Sequence, residues 1–241
     1  MKLKSSQKYY LSSIKPAITI FYIVMLCLSI VSIILNLSLE GSNSSFGGVA
    51  AASIIFLFVA GICSFSEEFN MFIQNGITRK ELWKGFSVSI LIIACIMSVI
   101  DLIILFILSL IINTESLVLM ITSTYVDNMV LKVINAFFLQ IIFYSLALTI
   151  GYFIRLIYYR MNKFGRIIVS ITVPGFFLIA LPILSSFYDM SFLLYFFTDI
   201  LAPLIDPTKL YGLPMFYLLF ILLTIGISLI NKQLIRKATI K

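Results

Sequence analysis

Long apolar runs separated by short polar stretches pattern this chain from end to end, and the runs set its elements. Six can be marked, over residues 17–39, 46–65, 86–112, 133–154, 167–187 and 213–230. Each comes close to the ~20 apolar residues that an α-helix needs to cross a bilayer core. The pattern therefore predicts an all-α membrane protein with six transmembrane helices, built as one domain over residues 1–241. Ahead of the first run, residues 1–16 mix lysines with apolar residues, as a helix lying in the membrane interface does. Between the fifth and sixth runs, residues 191–205 are apolar but too short to span, and Asp199 and Pro203 break them. That segment predicts a re-entrant or interfacial hairpin.

The polar stretch over residues 66–85 carries its own start and stop signals. From residue 67 it reads EEFNMFIQNGITRKELWKG. Glu67 and Glu68 put negative charge where a helix macrodipole favours it. Phe69, Phe72 and Ile73 then follow at i, i+3 and i+4, which makes one apolar face. Asn75 and Gly76 end the helix, because glycine accepts the left-handed conformation just past a helix. Thr78 through Glu81, with Arg79 and Lys80 between them, fits a capping box that opens the next helix. A short amphipathic helix, a tight turn and a membrane helix are expected in succession. A solvated loop has no need of an apolar face, so this element is expected to dock against something.

Composition agrees with a membrane domain. Hydrophobic residues make up 61% of the chain and charged residues 11%, against roughly 25% charged in ordinary soluble domains. The formal net charge is +7, yet the basic residues cluster at the ends of the apolar runs, so membrane orientation accounts for them and no nucleic-acid partner is expected. If the six runs alternate direction, 15 of the 17 lysines and arginines fall on one side. The positive-inside rule makes that side, with both termini, cytoplasmic, and the expected location is a plasma membrane. There is no histidine, which removes the commonest general base and metal ligand. Cys27, Cys63 and Cys95 lie far apart inside or beside apolar runs and have no metal-ligand spacing.

Small residues recur on single faces of the runs, where they let membrane helices approach. Ala50, Ser53, Ala60 and Ser64 share one face of the second run. Ser87, Ala94, Ser98, Asp101 and Ser109 share an arc of the third. Packing, a pathway or a dimer seam could use these faces. Asp101 is the one acidic residue deep in a run, where a carboxyl costs roughly 2.5–3.5 kcal/mol unless it meets protein or water. Asp101, Ser98 and Ser109 are the candidate pathway or packing residues. A proton- or ion-coupled carrier using Asp101 is the alternative function.

The stretch F-x-x-x-x-x-N-G-I-T-R-K, here Phe69 to Lys80, resembles the permease subunits of ABC-2-type transporters, especially small Gram-positive exporters. The layout is similar over nearly the full length: basic interfacial start, six spans, a loop between spans two and three, and a broken hairpin before span six. The resemblance implies that Glu67, Glu68, Phe69, Phe72, Ile73, Asn75 and Gly76 form a coupling helix that docks on an ATPase subunit. Thr78, Arg79 and Lys80 would then begin the lever into span three. It also implies a second permease copy or paralogue, and export of a hydrophobic or amphipathic peptide, as in phenol-soluble modulin exporters or bacteriocin-immunity permeases. The chain has no G-x-x-x-x-G-K-[ST] motif and no glycine followed by lysine, so it has no phosphate-binding loop of its own. No enzyme activity and no cofactor are expected on this chain; ATP and magnesium would sit on the partner.

Overall fold

The computed structural model describes residues 2–38, 48–111, 118, 122, 128–175 and 212–236. Every regular element among them is an α-helix: α1 (Lys2–Ser38), α2 (Val49–Cys63), α3 (Ser66–Gln74), α4 (Arg79–Ser109), α5 (Met129–Arg160), α6 (Lys163–Gly175) and α7 (Gly212–Arg236). Four stretches are long and apolar enough to cross a membrane: Gln7–Ile34, Arg79–Ser109, Met129–Arg160 and Pro214–Arg236. They contain most of the first expected run and nearly all of the third, fourth and sixth. The second run becomes the 15-residue α2, about 22 Å at 1.5 Å per residue. The fifth run is described only as far as Gly175, and the expected hairpin over 191–205 lies outside the described residues.

The expected interfacial helix and first span form one unbroken helix, α1, with Pro16 inside it. Proline there removes the hydrogen bond that position 16 would give to the Ser12 carbonyl, yet the helix continues on both sides. Residues 2–16 are thus mechanically continuous with the long apolar stretch that follows them.

Helices α4 and α5 form the centre of the bundle; α5 packs against α2, α7 and α4, and α1 packs against α4. Paired contacts give the directions. Tyr10 meets Phe86 and Tyr22 meets Met97, so α1 and α4 run parallel. Phe86 stacks on Tyr152 while Ser98 bonds Gln140, so α4 and α5 are antiparallel. Tyr217 bonds the Asn135 carbonyl and Asn231 bonds the Thr149 carbonyl. Both ends of α7 therefore keep step with α5 over about 21 Å, in parallel.

Among the described residues, the tightest seam joins α2 to α5. A Cβ added at Gly61 would sit 2.5 Å from the Leu148 carbonyl oxygen, and one at Gly151 would sit 2.2 Å from that of Phe58. Only glycine allows backbones this close. Ala50, Ser53, Leu57 and Gly61 are the buried line of α2, whereas Ala60 and Ser64 of the expected face are half-buried.

Candidate functional site

The element between α2 and α4 forms as the sequence predicts. Helix α3 ends in a Schellman motif: the Ile77 N–H donates to the Phe72 carbonyl (3.0 Å) and the Gly76 N–H to that of Ile73 (3.0 Å). Gly76 has φ +67°, the left-handed region that favours glycine. The capping box also forms. The Thr78 N–H donates to Glu81 Oε2 at 3.0 Å, and Thr78 Oγ1 accepts from the Glu81 N–H at 3.3 Å. Turn and cap together fix how α3 feeds into α4.

The apolar face of α3 turns inward. Phe69 is fully buried and Phe72 nearly so. Phe69 stacks on Phe65 (centroids 5.0 Å apart) and meets Tyr159 of α5 edge-on. Phe72 meets Tyr9 at 5.2 Å and Tyr10 at 5.4 Å, both on α1. The face assigned from sequence to a partner is thus occupied by the chain itself. At the end of α3, Gln74, Asn75 and Gly76 are exposed, as are Thr78 and Lys80, while Ile73 and Arg79 are half-buried. Glu67 and Glu68 lie in the first turn of α3.

Around this seat the basic helix ends meet. Arg79 at the start of α4 donates to the Arg236 carbonyl at the end of α7. The Lys232 ammonium lies 4.8 Å from the centroid of the Trp83 ring, within cation–π range. The Trp83 indole N–H donates to the Ser228 carbonyl at 2.9 Å. On α6, Arg166 Nε donates to the Tyr158 carbonyl at 2.9 Å. The start of α1 and the end of α7 therefore lie at the same end of the bundle as α3.

A second group of polar side chains lies deep between the helices. Asp101 is fully buried. Its Oδ1 accepts from the Tyr22 hydroxyl of α1 at 2.9 Å, and its Oδ2 accepts from the Tyr144 hydroxyl of α5. Ser53 of α2 adjoins the carboxyl but makes no hydrogen bond of ordinary length and angle. The partners that satisfy this carboxyl are phenols on two other helices, so it ties α1, α4 and α5 together. One turn away, the Ser98 hydroxyl donates to Gln140 Oε1 at 2.9 Å.

The arc expected on α4 divides in three. Ala94, Ser98 and Asp101 are buried among neighbours. Ser87 reaches Ser228 of α7 at 3.5 Å. Ser109 is exposed and donates to its own helix, at the Phe106 carbonyl. Tyr22 and Tyr144 escaped the sequence reading because a tyrosine ring reads as apolar in such a run. Gln140, an amide inside an apolar run, was the signal available there.

Comparison with family models, with curated proteins and with solved structures gives no match for this chain.

Proposed function

We propose that this chain is the membrane permease subunit of an ABC exporter, driven by an ATPase on a separate chain. In this reading six helices cross the plasma membrane, both termini are cytoplasmic, and two permease copies or paralogues assemble. The cargo is a hydrophobic or amphipathic peptide. The observation that carries the reading is α3: a nine-residue helix with a locked turn, clamped on two sides by aromatic contacts to α1 and α5. A surface loop held this firmly can transmit force. Pressure on its open end reaches α4 through the Schellman turn and the capping box, α1 through Tyr9 and Tyr10, and α5 through Tyr159. The docking contact then falls on Gln74, Asn75 and Lys80, while Phe69 and Phe72 seat the lever. Glu67 and Glu68 begin that lever.

Tagged protein purified from its native membrane should carry a nucleotide-binding chain. Gln74→Trp combined with Lys80→Glu should weaken that association without loss of folded permease, since both positions are exposed. A preparation that carries no nucleotide-binding chain, or one indifferent to both substitutions, refutes the docking role.

The burial of Asp101 favours one other reading, a carrier coupled to a proton or ion gradient. Both carboxyl oxygens have phenol partners across helix boundaries, and that supports a structural tie over a transport site.

A further inference from the structure

A cleft of about 170 Å³ runs between α1, α2, α4 and α5, beside the seat of α3. Its floor is buried: Ile90 and Ile93 of α4 and Leu148 of α5. Its exposed lining residues are Tyr9, Ser13 and Ala17 on α1 and Cys63 on α2. The mouth therefore opens outward between α1 and α2, whose outward faces are apolar at Ile20 and Ile55. Those two helices touch little. Higher up they are bridged by the Phe21–Phe56 stack, with centroids 4.4 Å apart, which closes the far end of the cleft. Tyr9 and Tyr10, packed on Phe72, close the near end.

The geometry points to an occupant: one acyl chain of a bilayer lipid, inserted sideways between α1 and α2. Three features select it. No charged side chain lines the cleft, so a charged group would enter without a partner. Polarity runs in one direction along it. The hydroxyl residues Tyr9, Tyr10 and Ser13 gather at the end nearest α3, and Ala17, Ile93 and Leu148 lie further in. A chain hung from an interfacial glycerol ester has the same gradient. The other two hydroxyls are already committed, Ser64 to the Ala60 carbonyl at 2.7 Å and Ser89 to that of Gly85 at 2.9 Å. They offer little to a file of water, which needs two to four polar partners per molecule. An empty slot would forfeit the contacts of its walls, while hydrocarbon stands at its mouth. From Tyr9 to Ala17 the cleft follows α1 for about 12 Å, and its volume holds roughly six groups of water size. The occupant would press on Tyr10, and Tyr10 bears on Phe72, so a lipid chain would set the position of α3.

This inference rests on the reading of the chain as membrane-spanning, and the test separates the two. The full-length protein is reconstituted in vesicles of phosphatidylcholine that carries a diazirine in one acyl chain, irradiated, digested and mapped by mass spectrometry. Adducts are expected on the buried floor, at Ile90 and Leu148, as well as on the outward Ile20 and Ile55. Ala17→Trp, at an exposed mouth position, should cut floor adducts about tenfold, equivalent to ~1.4 kcal/mol of lost affinity, and leave Ile20 and Ile55 labelled. Ser89→Leu, which fills the cleft from within, should do the same. Labelled Ile20 and Ile55 with a bare floor would overturn the lipid site alone. An unlabelled chain throughout would overturn the membrane reading and the site with it. Floor labelling by a water-soluble diazirine, or floor adducts unchanged in both variants, would also overturn the site.

Discussion

The glycine seam between α2 and α5 gives the sharpest test of the packing, and Gly151→Ala is the perturbation. The new Cβ would lie 2.2 Å from the Phe58 carbonyl oxygen and 3.1 Å from the Gly61 Cα, where ordinary contact begins at 3.4 Å. The shortfall against Phe58 is 1.2 Å, the difference of those two distances. The obstacle is backbone, so no side chain can swing aside; α2 itself has to withdraw. Overpacking of this kind costs ~1–3 kcal/mol, and a clash between two helix backbones places it at the upper end. For a chain of this size ~3 kcal/mol corresponds to a fall of ~6–12 °C in Tm. Size-exclusion of detergent-solubilised protein after stepwise heating measures it. Gly61→Ala, with 2.5 Å to the Leu148 carbonyl oxygen, should fall comparably. The double variant should lose less than the sum, because one withdrawal relieves both clashes. Gly226→Ala on α7 meets nothing within 4 Å and should lose no stability. If Gly151→Ala melts with the parent, α2 and α5 are not in backbone contact and the seam is wrong.

Asp101→Asn keeps the shape and an acceptor for one phenol, so as a structural tie it should leave transport largely intact in vesicles supplied with ATP. Loss of pH-gradient-driven transport in that variant, in ATP-depleted vesicles, would instead establish the carrier reading. Tyr144→Phe removes one hydrogen bond to a buried carboxyl and should lower the melting temperature by an amount equivalent to ~1–3 kcal/mol; an unchanged melt refutes the tie. Gly76→Val forces a β-branched residue to φ +67°, at ~1–2 kcal/mol or more. It should uncouple ATP hydrolysis from transport while the protein still inserts, and undiminished coupling refutes the lever. In a Cys-free background, Ser44→Cys should react with an impermeant thiol reagent from outside and Gln74→Cys only after the membrane is opened. Labelling of Gln74→Cys from outside reverses the proposed orientation.

The elements legible in the sequence were those governed by local rules. Apolar run length located the long membrane-type helices, and the signals from Asn75 to Glu81 gave both the stop of α3 and the start of α4, because caps are made by residues three or four apart. Relations between distant segments were not legible. Phe69 and Phe72 declared an apolar face but not its occupant, which depends on where Tyr9, Tyr10 and Tyr159 arrive in space. The small-residue face of α2 was read through Ala60 and Ser64, whereas the close approach runs through Gly61, one position round the helix. A glycine within an apolar helix carries no sign of what it faces, and only the facing Gly151 shows the use of Gly61. Asp101 was visible as an anomaly, but a carboxyl satisfied by phenols leaves no charge pattern to find.

The contact between Trp83 and α7 makes the protein its own optical gauge. The chain has a single tryptophan, and its ring rests under Lys232 with its N–H on Ser228. All indole emission therefore comes from the joint between α4 and α7, seven residues along the chain from the turn at Gly76. Any event that parts those helices strips the ring of its cation and its hydrogen bond together, so opening of that end reads out as a spectral shift in the unmodified protein.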